Sequence, residues 1–181
     1  MPMRKLQGFT LIEMLVVVAL VAILASLAAP GFNSMIASRS VASAASAMAD
    51  DYRFARSEAI KRGGYVTLCR SLDAAACTTD VGSWHTGWLV FSDYNGNGAL
   101  DAGSDTVLRV QQSVSGVSAL AHPTVSSTPV KATFRPNGLG VAINTSWVVT
   151  PINSSATNST RLLCVSTNGR VALRDAGDSS C

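Results

Sequence analysis

Three patterns of hydrophobic and polar positions follow one another along this chain. Residues 11–29 are apolar or small throughout, with Glu13 and Ser26 as the exceptions. Nineteen residues of helix rise about 28 Å, close to the roughly 30 Å of a bilayer's hydrocarbon core. Beyond Pro30-Gly31, Val41, Ala44, Met48, Tyr52, Ala55 and Ala59 recur at spacings of three and four. That is the stripe of an amphipathic helix packed on other structure. Gly63-Gly64 reads as its stop, so one helix is expected over 9–62, about 80 Å long, kinked or locally melted at Pro30. From Tyr65 onward the pattern changes to short β-rich runs between turn residues, at 65–70, 88–93, 106–112, 130–135, 147–152, 162–166 and 170–174. Asn137-Gly138 and Asn168-Gly169 are turn signals, and parts of 144–160, rich in Ser, Thr and Asn, read as an exposed loop. The layout is α+β: one long helix on an antiparallel sheet.

Composition sharpens the first of these patterns. Charged residues make up 14% of the 181 positions, against roughly 25% in ordinary soluble proteins. No charged side chain lies between Glu13 and Arg39. Arg4 and Lys5 precede the apolar run, which leaves the N-terminus cytoplasmic and carries the rest outward. A secretory signal peptide is the rival reading, with Ala-Ser-Leu-Ala-Ala-Pro as a loose cleavage site. The net charge of +3 excludes a polybasic tail or an acidic disordered chain. Glu13 stands out, because a carboxylate inside a bilayer costs several kcal/mol and usually has a partner. It sits either at the lipid headgroups or against a group on another subunit, such as a free amine.

The run Gly8-Phe9-Thr10-Leu11-Ile12-Glu13, behind a short basic leader, resembles the class III signal of type IV pilins and type II secretion pseudopilins. The resemblance implies a leader 1–8 cut after Gly8 by prepilin peptidase, and methylation of the new Phe9 amine. It implies that Glu13 pairs with the Phe9 amine of a neighbouring subunit during assembly. It divides the chain into the leader, a transmembrane and filament-core segment 9–30, and a periplasmic domain 31–181. Arg56-Ser-Glu-Ala-Ile60, Trp84-His-Thr-Gly-Trp88-Leu-Val-Phe-Ser-Asp93, Asn95-Gly-Asn-Gly and Asp105-Thr-Val-Leu-Arg109 are similar to the GspH/FimT branch of minor pilins and pseudopilins. The implied function is a minor type IV pilin, held in the inner membrane and then built into a pilus near its tip with other major and minor pilins. A DNA receptor for natural transformation and a type II secretion pseudopilin are the alternatives.

Outside the first segment lie Cys69, Cys77, Cys164 and Cys181. An extracytoplasmic domain permits disulfides, and three pairings are possible. Cys69–Cys77 and Cys164–Cys181 are favoured because each closes a short loop. With no Cys-x-x-Cys pair, zinc is not expected. Asp93-Tyr-Asn-Gly-Asn-Gly-Ala-Leu-Asp101 resembles a calcium loop, but Ser104 stands where an EF-hand wants an acid, so a turn is expected rather than a metal site. No P-loop, nucleophile elbow or dinucleotide fingerprint is present, and no cofactor or enzymatic activity is expected. His85, between two Trp, reads as a loop or packing residue. On a strand 170–174, Arg170 and Arg174 share a face about 13 Å apart. With Arg161 they make a candidate contact for double-stranded DNA through its phosphates. The family's Gly-Arg-x-Arg motif is matched at Gly169-Arg170 but holds Ala172 at its second arginine.

Overall fold

The computed structural model describes residues 8–124, 128–141, 143, 145–152, 159–175, 178 and 181, and of 28–30 the backbone alone. Helix α1 spans Leu11–Arg62. Its N-cap is Thr10, whose hydroxyl accepts the Glu13 N–H at 3.3 Å. The sequence Thr-x-x-Glu is a capping box, which satisfies one of the helix's orphan donors. At the other end Gly63 has φ +63°, with Gly63 N–H donating to Ile60 O and Gly64 N–H to Ala59 O. This Schellman closure needs a residue tolerant of the left-handed region, which explains the glycine. The Pro30 side chain lies outside the described residues. The segments Leu11–Leu27 and Gly31–Arg62 on either side of it are bent by 40°.

Two antiparallel sheets replace the single sheet expected. One contains β1 (Tyr65–Arg70), β2 (Trp88–Asp93), β3 (Thr106–Gln111), β5 (Lys131–Phe134) and β6 (Gly140–Val141), in the order β3-β2-β1-β5-β6. The other contains β4 (Val117–Ala121), β7 (Thr145–Pro151), β8 (Arg161–Val165) and β9 (Val171–Arg174), in the order β4-β7-β8-β9. Strands β4 and β6 carried no sequence signal. Val-Ser-Ala-Leu-Ala has a single β-branched residue and no aromatic, and the two residues of β6 are too few to show alternation. Strand β7 runs through the start of the Ser/Thr/Asn-rich stretch, and 153–158 lie outside the described residues.

The helix stripe and both sheets share one core. Val41, Ala44, Met48, Tyr52, Ala55 and Ala59 are fully buried against Val66, Leu68, Trp88, Phe134, Trp147, Leu163 and their neighbours. Small residues on the helix let its backbone approach the sheets closely, while Trp84, Trp88 and Trp147 fill the volume between them. A second, smaller cluster of Cys69, Leu89 and Phe91 lies apart from this core, with Cys77 and Leu100 packed on it. Strand β1 is therefore buried at five successive positions rather than at alternate ones.

One carboxylate ties the helix to the sheet edge. Asp51 is buried, and accepts from Trp88 Nε1 at 2.7 Å and from Arg109 Nη1 at 2.9 Å. The Arg109 guanidinium also lies 3.6 Å above the Phe54 ring. A buried charge needs a cation and hydrogen bonds together, and here a helix, a central strand and an edge strand supply them.

Candidate functional site

Among the described residues, the first half of α1 is the long apolar segment left exposed. Phe9, Leu11, Ile12, Leu15, Leu20, Leu24, Leu27 and Phe32 are all more than half exposed. Leu11–Leu27 alone rises about 25 Å, short of the roughly 30 Å hydrocarbon core. No single described helix is long and apolar enough to cross a membrane by itself, whereas the bent pair Leu11–Leu27 and Gly31–Arg62 has the length and composition for it when taken together. Glu13 sits in the first turn, held there by the Thr10 cap. A carboxylate in that position interacts favourably with the positive end of the helix dipole. Gly8 and Phe9 precede the cap outside the helix and are exposed. The capping role of Thr10 was missed from sequence, although Thr-x-x-Glu before an apolar run is its signal.

The cysteines form two disulfides, Cys69–Cys77 and Cys164–Cys181. The first ties the 71–83 loop to β1. Inside that loop the Arg70 guanidinium donates to Ser83 O at 2.9 Å and Asp80 O at 3.0 Å. Asp73 closes the loop by accepting from the Ala75 and Ala76 N–H groups. Those two bonds hold its carboxyl below the usual carboxylate range. The second disulfide ties Cys181 to β8.

The carboxylates of the Asp93–Asp101 turn accept mostly from the turn's own backbone and side-chain amides. Asp93 accepts from the N–H groups of Gly96, Asn97 and Gly98 and from the Thr67 hydroxyl. Asp101 accepts from the Asn95 and Asn97 side-chain amides, and Asp105 from the N–H groups of Tyr94 and Asp101. Oxygens so engaged define a rigid turn. His85 Nδ1 shares a 2.7 Å hydrogen bond with Ser83 Oγ, but that oxygen is also taken by the Leu120 N–H at 2.7 Å. No carboxylate hydrogen-bonds His85 among the described residues, so the pair ties the turn before β2 to β4.

The arginines of the C-terminal region are not one continuous cationic strip. Arg161 is ion-paired with Asp175, and Arg174 with Asp178 at 3.8 Å. Arg170 lies before β9, in the turn closed by Ser166 N–H donating to Arg170 O. Strand β9 begins at Val171, so of the expected pair Arg174 lies on the strand and Arg170 one residue before it. The acids that answer Arg161 and Arg174 follow immediately in the sequence.

Comparison with known proteins agrees with this geometry. The family model of the type II transport protein GspH matches residues 44–169, and the prokaryotic N-terminal methylation motif matches residues 3–29. A fimbrial protein of Dichelobacter nodosus is 37% identical over 95 residues, 52% of this chain and 56% of that protein. A second fimbrial protein of the same organism is 34% identical over 113 residues, 60% of this chain and 68% of its own length. The chain thus spans between about half and two thirds of these relatives. The crystal structure of the type IV minor pilin FimU of Pseudomonas aeruginosa has the same fold, with a TM-score of 0.56. That alignment covers 78% of this chain and 94% of FimU at 21% identity.

Proposed function

Because the chain belongs to the GspH family, we propose that it is a minor type IV pilin, a subunit stored in the inner membrane and then built into a pilus. The observation that carries this reading is one helix in two environments. The apolar stripe of its second half is buried by the chain's own sheets, and its first half exposes an apolar surface that none of the described residues covers. Such a surface is stable in lipid, and equally stable among the same helices of neighbouring subunits. The anchor and the filament core are therefore one segment used twice.

Processing and assembly follow from the first turn. Cleavage after Gly8 by prepilin peptidase removes Arg4 and Lys5, taking the side-chain charge from +3 to +1. It also creates a free amine on Phe9, which is then methylated. In lipid the Glu13 carboxylate is costly alone, and the Phe9 amine of an adjacent major or minor pilin neutralises it. That pairing sets the register between subunits, because the match fails when the helices slip.

The test is a Glu13→Ala variant followed through membrane and sheared-pilus fractions. Membrane levels equal to wild type, with loss from pili, are expected. Incorporation at the wild-type level would contradict the assembly role.

A further inference from the structure

Most charged side chains here are answered within the chain. Arg53 pairs with Asp50, Lys61 and Arg62 with Glu58, Arg109 with Asp51, Arg161 with Asp175 and Arg174 with Asp178. Arg70 and Lys131 are committed to backbone carbonyls. Among the described residues, the other four cations, Arg39, Arg56, Arg135 and Arg170, have no acid either. Three of the four belong to one place. Arg56 is half-buried, and its Nε donates to Gly138 O at 3.2 Å. Gly138 (φ +77°) and Gly169 (φ +72°) both face it: a Cβ on Gly169 would lie 2.5 Å from Arg56 Cδ, and one on Gly138 3.3 Å from its Nε. Arg135 and Arg170 flank these two glycine turns and are exposed. The turns are joined by Gly140 N–H donating to Thr167 O at 2.8 Å. The sequence supplies no acid between Asp105 and Asp175 to neutralise them.

We propose that Arg56, Arg135 and Arg170, gathered on the joined turns 135–140 and 166–170, form a docking site for paired carboxylates on a different, acidic protein subunit. Guanidinium groups suit this partner because each grips a carboxylate through parallel N–H donors. A nucleic-acid backbone is the poorer fit. It needs a track of cations, and the arginines that would extend one, Arg161 and Arg174, carry Asp175 and Asp178 beside them, which repel phosphate. A second copy of this chain is also a poor fit. Its described acids beyond the apolar segment are held by cations or N–H donors, apart from Asp80. The partner therefore brings its own acidic face. Naming that partner as a filament subunit rests on the pilin reading, whereas the carboxylate binding does not.

The test uses full-length protein in detergent micelles, with fluorescently labelled hexaglutamate and a labelled DNA duplex as probes. Arg135 and Arg170 are exposed, so R135A/R170A is expected to melt like wild type. Losing two charge-assisted contacts is expected to weaken hexaglutamate binding at least about tenfold. R39A, which removes the unpaired cation outside the cluster, is expected to leave it unchanged. Equal affinity in R135A/R170A would overturn the proposal. So would duplex binding that is tighter than hexaglutamate binding and lost in the same variant. Because these readouts do not involve pili, they can fail while Glu13→Ala behaves as expected, or hold while it does not.

Discussion

The two halves of α1 are one continuous helix by backbone, yet they solve opposite problems. Over 37–62 an apolar stripe from Val41 to Ala59 recurs by three and four and is buried on the chain's own sheets. Over 11–27, and at Phe32, Met35 and Ile36, bulky apolar residues lie on every side and are exposed. The difference teaches that period, more than hydrophobicity alone, tells where a helix finds its partner. A periodic stripe fits a preformed sheet, whereas unperiodic bulky residues fit a fluid bilayer or a ring of similar helices.

The comparison is broken most severely at Asp51, which fastens the second half to the sheet. Asp51→Ala strands the Trp88 N–H in the core and should cost about 3 kcal/mol of unfolding free energy in urea titrations. Replacing Cys69 and Cys77 together by serine frees the 71–83 loop and should cost about 2.5 kcal/mol by the same measurement. Gly63→Ala forces a Cβ into the left-handed region at the helix end and should cost about 1–2 kcal/mol.

Acidification acts on the same half more weakly. Glu58 is held below the ordinary carboxylate range first by its bond to Arg62, then by Lys61, against opposition from desolvation. Asp73 is likewise lowered. A carboxyl with a lowered folded pKa stabilises above its unfolded value, and the gain is lost as pH falls through the folded one. Urea midpoints should therefore be flat near pH 6 and decline as pH drops below about 4. The smallest effect belongs to the first half. Leu20→Ala should change unfolding of the sheet domain by less than about 0.5 kcal/mol, because Leu20 is more than half exposed and outside the buried core. A larger loss would mean that the exposed half packs on its own chain.

Much of this architecture was readable in the sequence. The stripe from Val41 to Ala59, the Gly63 stop and the ends of β1 and β2 need only local chemistry: period, turn residues and branched side chains. The division into two sheets was not readable, because β4, the edge of the second, carries one branched residue and no aromatic, and β6, the edge of the first, is two residues long. Both are strands only because their neighbours offer a ladder. The Asp51 clamp was hidden for a related reason: its partners Trp88 and Arg109 come from distant strands. The arginine patch was legible only in part: Arg170 lies one residue before β9, and Asp175 and Asp178 answer Arg161 and Arg174.

The most direct test of the account is the N-terminal peptide of this protein, read by mass spectrometry from sheared, purified pili. The account predicts its presence there, beginning at an N-methylated Phe9. Absence from pili, or a chain still carrying residues 1–8, would contradict it.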